Sequence, residues 1–349
     1  MRLERRADTP LVLAITAPLL AVVAALAISG GLIALADVNP ATAYAEMLRG
    51  AFGSRLAVTE TLTRATPLIL TGLAAAVAFR ARLWNIGAEG QFMAGALVAA
   101  WIGHGMLGGA PVLLAVAGVL LAGMAAGAVL LVLPALLRLR FGVDEVVVTL
   151  LMNFIVLLVV GLMIEGPLKD PLAFGWPQSV PVDRALMLPD LVARSRLHVG
   201  FLLALAAAAA VWALQARTVF GAETRAAGLN PVAATFAGVA LPRTLLLVAA
   251  ISGALAGLSG AIEVLGVTGY VTTTLSPGFG YAGIVVAMLA ALHPAGVVAA
   301  ALFVATVFVG ADAMSRATAV PSFIADVIVS VSLLTMLIAL LFTSYRIRR

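Results

Sequence analysis

No cysteine occurs in the 349 residues, so neither a disulfide framework nor a thiolate metal site can organise this chain, and redox compartment leaves no mark on it. Lysine is almost as scarce. Lys169 stands alone, and no GxxxxGK[ST] surrounds it, which excludes a phosphate-cradling P-loop; any ATP-driven step would need another polypeptide. The three histidines, His104, His198 and His293, are too far apart for a zinc-hydrolase motif, and no GxSxG nucleophile elbow is present. No paired acid and base can be assembled, so no catalytic or metal-ligating residue is expected and an enzyme is the weakest reading. Charged side chains make up only 11% of the chain, against 63% hydrophobic, and the mean hydropathy is +1.15. One soluble core cannot hide that much apolar surface, so the composition requires an integral membrane protein.

What charge there is marks topology. The net charge of +5 comes from arginines gathered in short clusters beside apolar runs, as the positive-inside rule requires, rather than from a nucleic-acid footprint. Runs of about 20 apolar residues, enough to cross a bilayer, lie near 10–36, 59–79, 86–104, 111–136, 146–165, 198–215, 243–266 and 321–343. The first is too long for a signal-peptide core and reads as an uncleaved membrane helix. A further block, 281–311, is interrupted by His293-Pro294; proline removes a backbone donor there, so the block divides into 281–292 and 295–311. The sequence therefore predicts an all-α polytopic bundle: one transmembrane domain over 1–349, about ten segments, both termini cytoplasmic. Ten crossings place Arg2, Arg5 and Arg6, Arg80 and Arg82, Arg138 and Arg140, Arg217, Arg225 and Arg243, and Arg346, Arg348 and Arg349 on the same side. Residues 166–197, with five prolines, are expected to form an irregular external cap. Gly123 with Gly127 and Gly253 with Gly257 have the spacing that lets helix backbones approach closely in lipid, as ordinary bundle packing.

Three polar islands interrupt the hydrocarbon. In NIGAEGQ, Asn85, Glu89 and Gln91 alternate with Gly87 and Gly90, where the turn marked by Arg80 and Arg82 gives way to the third segment. Asn85 is a good helix cap and Glu89 suits the positive end of a helix dipole. Glycines beside polar groups at a helix start are equally what a discontinuous transport helix uses. The residues alone leave cap and pathway both open. In FGVDEVVVTLLMN, Asp144 is a cap and Glu145 meets the helix dipole, while Asn153, two turns inside, is either interhelical glue or a cavity group. In TVFGAETRAAGLNPVAATFAGV, Gly228 reads as a helix stop, Asn230 as a cap and Pro231 as a first helical residue, giving two short helices that present Glu223 and Arg225 to a cytoplasmic partner. The alternative is an interfacial helix lying on headgroups. Glu263, in GAIEVLG, is an intramembrane acid and a candidate by that fact alone, though a loop edge suits it as well. Arg64 reads as an external flank.

These islands, in this order, resemble the permease subunits of bacterial ABC importers of the simple-sugar and purine-nucleoside group, whose external binding proteins are basic membrane lipoproteins. The resemblance spans about residues 60–340, and NIGAEGQ is its most specific mark. It implies a permease in the bacterial inner membrane that moves a nucleoside or related sugar-containing solute by alternating access. It has no cofactor of its own; ATP is used by a cytoplasmic ATPase docked on the loop 216–241 through Gly221, Glu223, Arg225, Gly228, Asn230 and Pro231. A second permease subunit and an external substrate-binding lipoprotein complete the assembly. Asn85, Gly87, Glu89, Gly90, Gln91, Asn153 and Glu263 are the expected pathway or gating residues. Ala282, Ala290 and Ala291 depart from the group, which often has a polar residue at the first position and glycine at the others; that puts the solute in question more than the fold. An ion-coupled secondary transporter, driven through Glu89 or Glu263, is the competing function.

Overall fold

A computed structural model describes residues 2–5, 11–35, 37–105, 109, 111–318, 321, 327–332, 334–335, 338–339 and 345–348. Its elements run β1 (Arg2–Arg5), α1 (Leu11–Ala34), α2 (Pro40–Phe52), α3 (Arg55–Arg80), α4 (Ala88–Gly103), α5 (Val112–Phe141), α6 (Glu145–Glu165), α7 (Gly200–Arg217), α8 (Val219–Leu229), α9 (Pro231–Phe236), α10 (Leu241–Glu263), α11 (Phe279–Leu289), α12 (Pro294–Thr318) and β2 (Tyr345–Arg348). Among the described residues six helices are long and apolar enough to cross a bilayer: α3, α5, α6, α7, α10 with its continuation to Thr268, and α12. The protein is thus helical and multi-pass. Most of the last apolar run, 321–343, lies outside the described residues.

Two units divide the chain. One comprises 62–301, the other 1–61 with 302–349. In the larger unit α4, α5 and α10 meet along a seam of glycines. A methyl group on Gly127 would strike the carbonyl oxygen of Gly253, one on Gly257 that of Gly123, and one on Gly95 that of Gly257. Both small-residue pairs noted in the sequence therefore pack against each other inside the chain, where van der Waals contact replaces the hydrophobic drive missing in lipid. Away from the seam, Phe154, Leu158 and Leu162 of α6 and Leu113 and Leu121 of α5 are exposed, as suits lipid contact. The arginine-rich end of α5 closes on left-handed Gly142, and Asp144 caps α6 by accepting from the Val146 N–H at 2.8 Å.

Residues 166–197 do form an irregular cap, with one 3-10 turn at Arg184–Leu186. It is pinned to the ends of α4 and α10: the Asp183 N–H donates to Gly103, Leu188 to Leu265 and Val182 to Gly269. Beyond Glu263 the last turn of α10 widens to a π-turn, Val264–Thr268, that ends on left-handed Gly269. The ring of His198 lies so close to Gly200 and Gly266 that a Cβ on either would strike it.

In the smaller unit, α2 is a short helix the hydropathy did not indicate. Its local signals are complete: Asn39 accepts from the Ala41 N–H at 2.9 Å and Pro40 occupies the first turn. Thirteen residues are too few to cross a bilayer, so a search for spans passes over it. α1, α2, α12 and the helical residues beyond 327 pack around Ile33, Ala43, Ala311, Met314, Ile328 and Val329. β1 and β2 form a two-stranded antiparallel ribbon that pairs Arg2 with Arg348.

Candidate functional site: two helix N-termini meeting inside the bundle

The break between α3 and α4 does not stay at the end of the bundle. After Arg80 the chain turns through Arg82, in the left-handed region at φ 52°, and runs back inward as irregular backbone to Gly87. Asn85 is then level with Ser252, three turns inside α10 and about 16 Å from its first residue at 1.5 Å per residue. The sequence places this island where a surface turn gives way to a helix. The structure instead starts α4 deep among its neighbours, at 16 residues too short to cross a bilayer alone.

Backbone groups exposed at such depth must be satisfied by protein, because hydrocarbon offers nothing. Asn85, fully buried, uses its whole amide: Oδ1 accepts from the Gly87 N–H at 3.0 Å and from Gln91 Nε2 at 2.9 Å, and Nδ2 donates to Gln91 Oε1 at 2.9 Å and to Ser252 Oγ at 3.1 Å. Ser252 passes its own hydroxyl on to the Ala74 carbonyl at 2.7 Å. Gly87 is the N-cap of α4, so Asn85 caps from two residues earlier. The Gly90 N–H, another donor with no partner in its own helix, is taken by Asn153 Oδ1 of α6 at 2.8 Å. Asn153 Nδ2 donates to the Ile86 carbonyl at 2.9 Å and to the Tyr281 hydroxyl at 3.1 Å. A side chain on Gly90 would press on Asn153, and one on Gly87 on Thr149. The two glycines are needed because α6 touches the backbone here.

Glu89 lies in the first turn of α4, as its dipole reading expects, but its hydrogen bonds go to another helix. Its carboxylate accepts from the Gly280 N–H at 2.7 Å and also meets the Ser276 hydroxyl and the Tyr281 N–H, so it occupies the positive end of α11. Ser276 accepts in turn from the Phe279 and Gly278 N–H groups at 2.9 and 3.1 Å. The two helix starts touch: a Cβ on Gly280 would collide with the Glu89 nitrogen. Phe279 packs on Phe92, ring centroids 5.8 Å apart, and Arg64 Cζ sits 5.6 Å from the Phe279 centroid. The sequence reads Arg64 as an external flank; the structure brings it to the start of α11 instead. Each helix is thus capped by another, α4 by α6 and α11 by α4.

The apolar block divides as expected, though α11 ends at Leu289, three residues earlier than the sequence predicts, and Pro294 opens α12. Ala291 and Leu292 there adopt left-handed φ of 47° and 61°, a conformation that suits glycine and strains an alanine. Ala282 is 5% exposed. Glu263 is not part of the island: it lies about three turns beyond Ser252 on α10, some 16 Å away. Ser276, Gly280, Tyr281 and Arg64 went unread as site residues, since nothing in the sequence signals that the segment after α10 folds back to α4. Among the described residues no group of three metal-ligating side chains is found.

The second site joins the end of α3 to α8 and α9. Gly228 is not the helix stop its type suggests. It lies inside α8, where a Cβ would strike the Arg80 carbonyl, and the helix ends at Leu229. Gly221 is equally constrained, by the Gln215 carbonyl, and Arg80 Nη1 donates to Gln215 Oε1 at 2.7 Å. Asn230 does cap α9, accepting from the Ala233 N–H at 3.1 Å, with Pro231 in the first turn. Glu223 accepts from the Thr244 hydroxyl at 3.3 Å. Arg225 is exposed, as are Leu229, Val232 and Phe236.

Residues 57–342 match the family described as branched-chain amino acid transport system / permease component. The chain belongs to that family. Among its relatives are a guanosine ABC transporter permease of Bacillus subtilis, 36% identical over 91% of each chain, and a glucose ABC transporter permease of Haloferax volcanii, 33% identical over 99% of this chain and 93% of that one. A nucleoside ABC transporter permease of Lactococcus lactis is 33% identical over 86% of this chain and 84% of its own length. Within this permease family member, the junction of α4 and α11 and the platform of α8 and α9 hold most of the polar residues that the sequence singles out.

Proposed function

We propose that this chain is the permease of an ATP-driven importer in the bacterial inner membrane and moves an uncharged nucleoside, or a related sugar-containing solute, by alternating access. The observation that carries the reading is the meeting of two discontinuous helices, α4 and α11, inside the bundle, the arrangement from which transporters build midplane sites. Glu89 already fills the positive end of α11, so the site has no call for an anionic solute. That fits a neutral, hydroxyl-rich molecule, and relatives named for guanosine, nucleosides and glucose favour the same class. Asn85, Gly87, Glu89, Gly90, Gln91 and Asn153 hold this junction and act as gating residues; Glu263 belongs further along the path.

The ATPase would dock on 216–241. Rigid glycine contacts tie α8 to α3 through Arg80 and Gln215, while Arg225, Leu229, Val232 and Phe236 remain exposed to receive it. Ten crossings with both termini cytoplasmic agree with the arginine clusters and with the pairing of β1 and β2. In that orientation the cap of 166–197 faces outward, toward the lipoprotein that delivers solute, and a second, different permease completes the pore. Proteoliposomes holding the full set of subunits test the solute. Uptake of labelled nucleosides that requires internal ATP is expected; uptake of pentoses alone would move the solute class, and uptake without ATP by this chain alone would overturn the importer reading.

A further inference from the structure

A cavity of about 300 Å³ lies in the smaller unit, between α1, α2, α12 and the helical residues 327–332. It is lined mainly by hydrocarbon, with Leu26, Leu48 and Phe303 among its walls. Leu26 and Leu48 are 44% and 63% exposed, so its mouth is on the surface. A volume twice the roughly 150 Å³ of an apolar cavity that stays dry and holds benzene is large enough for part of a flexible chain.

One wall is not hydrocarbon. Ser29 is 1% exposed, and its hydroxyl has no hydrogen-bond partner. The other hydroxyls around the cavity are spent: Tyr44 on the Leu26 carbonyl, Thr306 on Leu302 and Ser332 on Ile328. A buried donor left unmade is costly, and a serine in a helix can ordinarily turn its hydroxyl back to its own backbone. Its height is informative as well. Ser29 lies five residues before Ala34, where α1 ends; α1 has 24 residues, about 36 Å, against a hydrocarbon core of about 30 Å. With α1 upright and centred in that core, the free hydroxyl would stand within about 5 Å of the hydrocarbon boundary, the level at which a lipid's ester carbonyls join its chains to its headgroup.

We propose that the cavity holds one acyl chain of a diacyl phospholipid, with the ester carbonyl accepting the Ser29 hydroxyl. The chain enters past Leu26 and Leu48, and the lipid joins α1 and α2 to α12 as a structural component.

The test uses the full-length protein, stripped of lipid in detergent and offered a diacyl phosphatidylglycerol or its diether analogue, which has the same chains and headgroup but no carbonyl. Native mass spectrometry counts what is retained. One bound ester lipid is expected, with about tenfold preference over the ether, the worth of one buried hydrogen bond. Ser29→Ala should bring that ratio close to one, and Ala25→Phe, which fills the cavity, should lower retention of both. Ser29→Ala leaves the packing intact and so carries the test if Ala25→Phe misfolds. An unmodified protein that retains no lipid, or an ester-to-ether ratio unchanged in Ser29→Ala, overturns the proposal. So does loss of the lipid when the other transporter subunits are bound, because a protein segment would then be the occupant.

Discussion

Replacing Asn85 by alanine orphans two buried groups, the Gly87 N–H and the Gln91 side chain, and removes the donor to the Ser252 oxygen, whose hydroxyl keeps its bond to the Ala74 carbonyl. Each costs about 1–3 kcal/mol when left unpaired. Asn85→Ala is therefore expected to lower the thermal midpoint and folded yield before any effect on transport can be read. Glu89→Gln differs, because its length is kept while an amide N–H₂ is turned toward N–H donors at the start of α11. Folded yield near that of the parent, with uptake reduced about tenfold or more, is the expected outcome for one lost charge-assisted contact; unaltered uptake would remove Glu89 from the gate. His198 supplies a pH test. Burial, opposed by the nearby Asp190, lowers its pKa to about 4, against 6.5 in an unfolded chain. The neutral ring is favoured in the fold, so its contribution is complete above pH 6.5 and is lost as pH falls toward 4, up to about 3 kcal/mol at 1.36 kcal/mol per unit. Thermal midpoints should fall between pH 7 and 4.5, and His198→Asn should flatten that fall.

At the level of elements the glycine seam gives the sharpest contrast. Gly127→Ala and Gly257→Ala push a methyl into facing backbone, which cannot move aside, whereas Gly118 and Gly161 have nothing within 4 Å of the added atom. The first pair should lose at least the 1–3 kcal/mol of an overpacked core and most of the folded yield; the second should be tolerated in the same size-exclusion assay. This seam was legible in the sequence because small residues at four-residue spacing have one principal use in lipid. The caps at Asp144 and Asn230 were legible too, being local. Gly228 was misread for the opposite reason: its partner, Arg80, is far away in the chain, and a glycine kept for close approach looks the same in sequence as one that ends a helix. α2 escaped because hydropathy finds spans and not short amphipathic helices.

For the whole molecule, the exposed face of α8 and α9 is where force from outside would enter. Arg225→Glu should weaken co-purification of the ATPase and abolish uptake while leaving the chain inserted, and Phe236→Ser should act the same way with a smaller effect, as loss of one exposed apolar contact. Unchanged co-purification in both would move docking elsewhere. Composition and arginine clusters sufficed for a multi-pass helical protein, yet the depth of NIGAEGQ was hidden, because hydropathy measures how apolar a stretch is and not how far it reaches inward. The borrowed caps also set an order of manufacture. The Gly90 N–H is satisfied by Asn153, 63 residues later, so at about 5–20 residues per second the ribosome needs about 3–13 s to supply the partner. Until α6 emerges, the start of α4 has unpaired backbone that lipid cannot accept, and this part of the newborn chain must wait in water or in the insertion machinery.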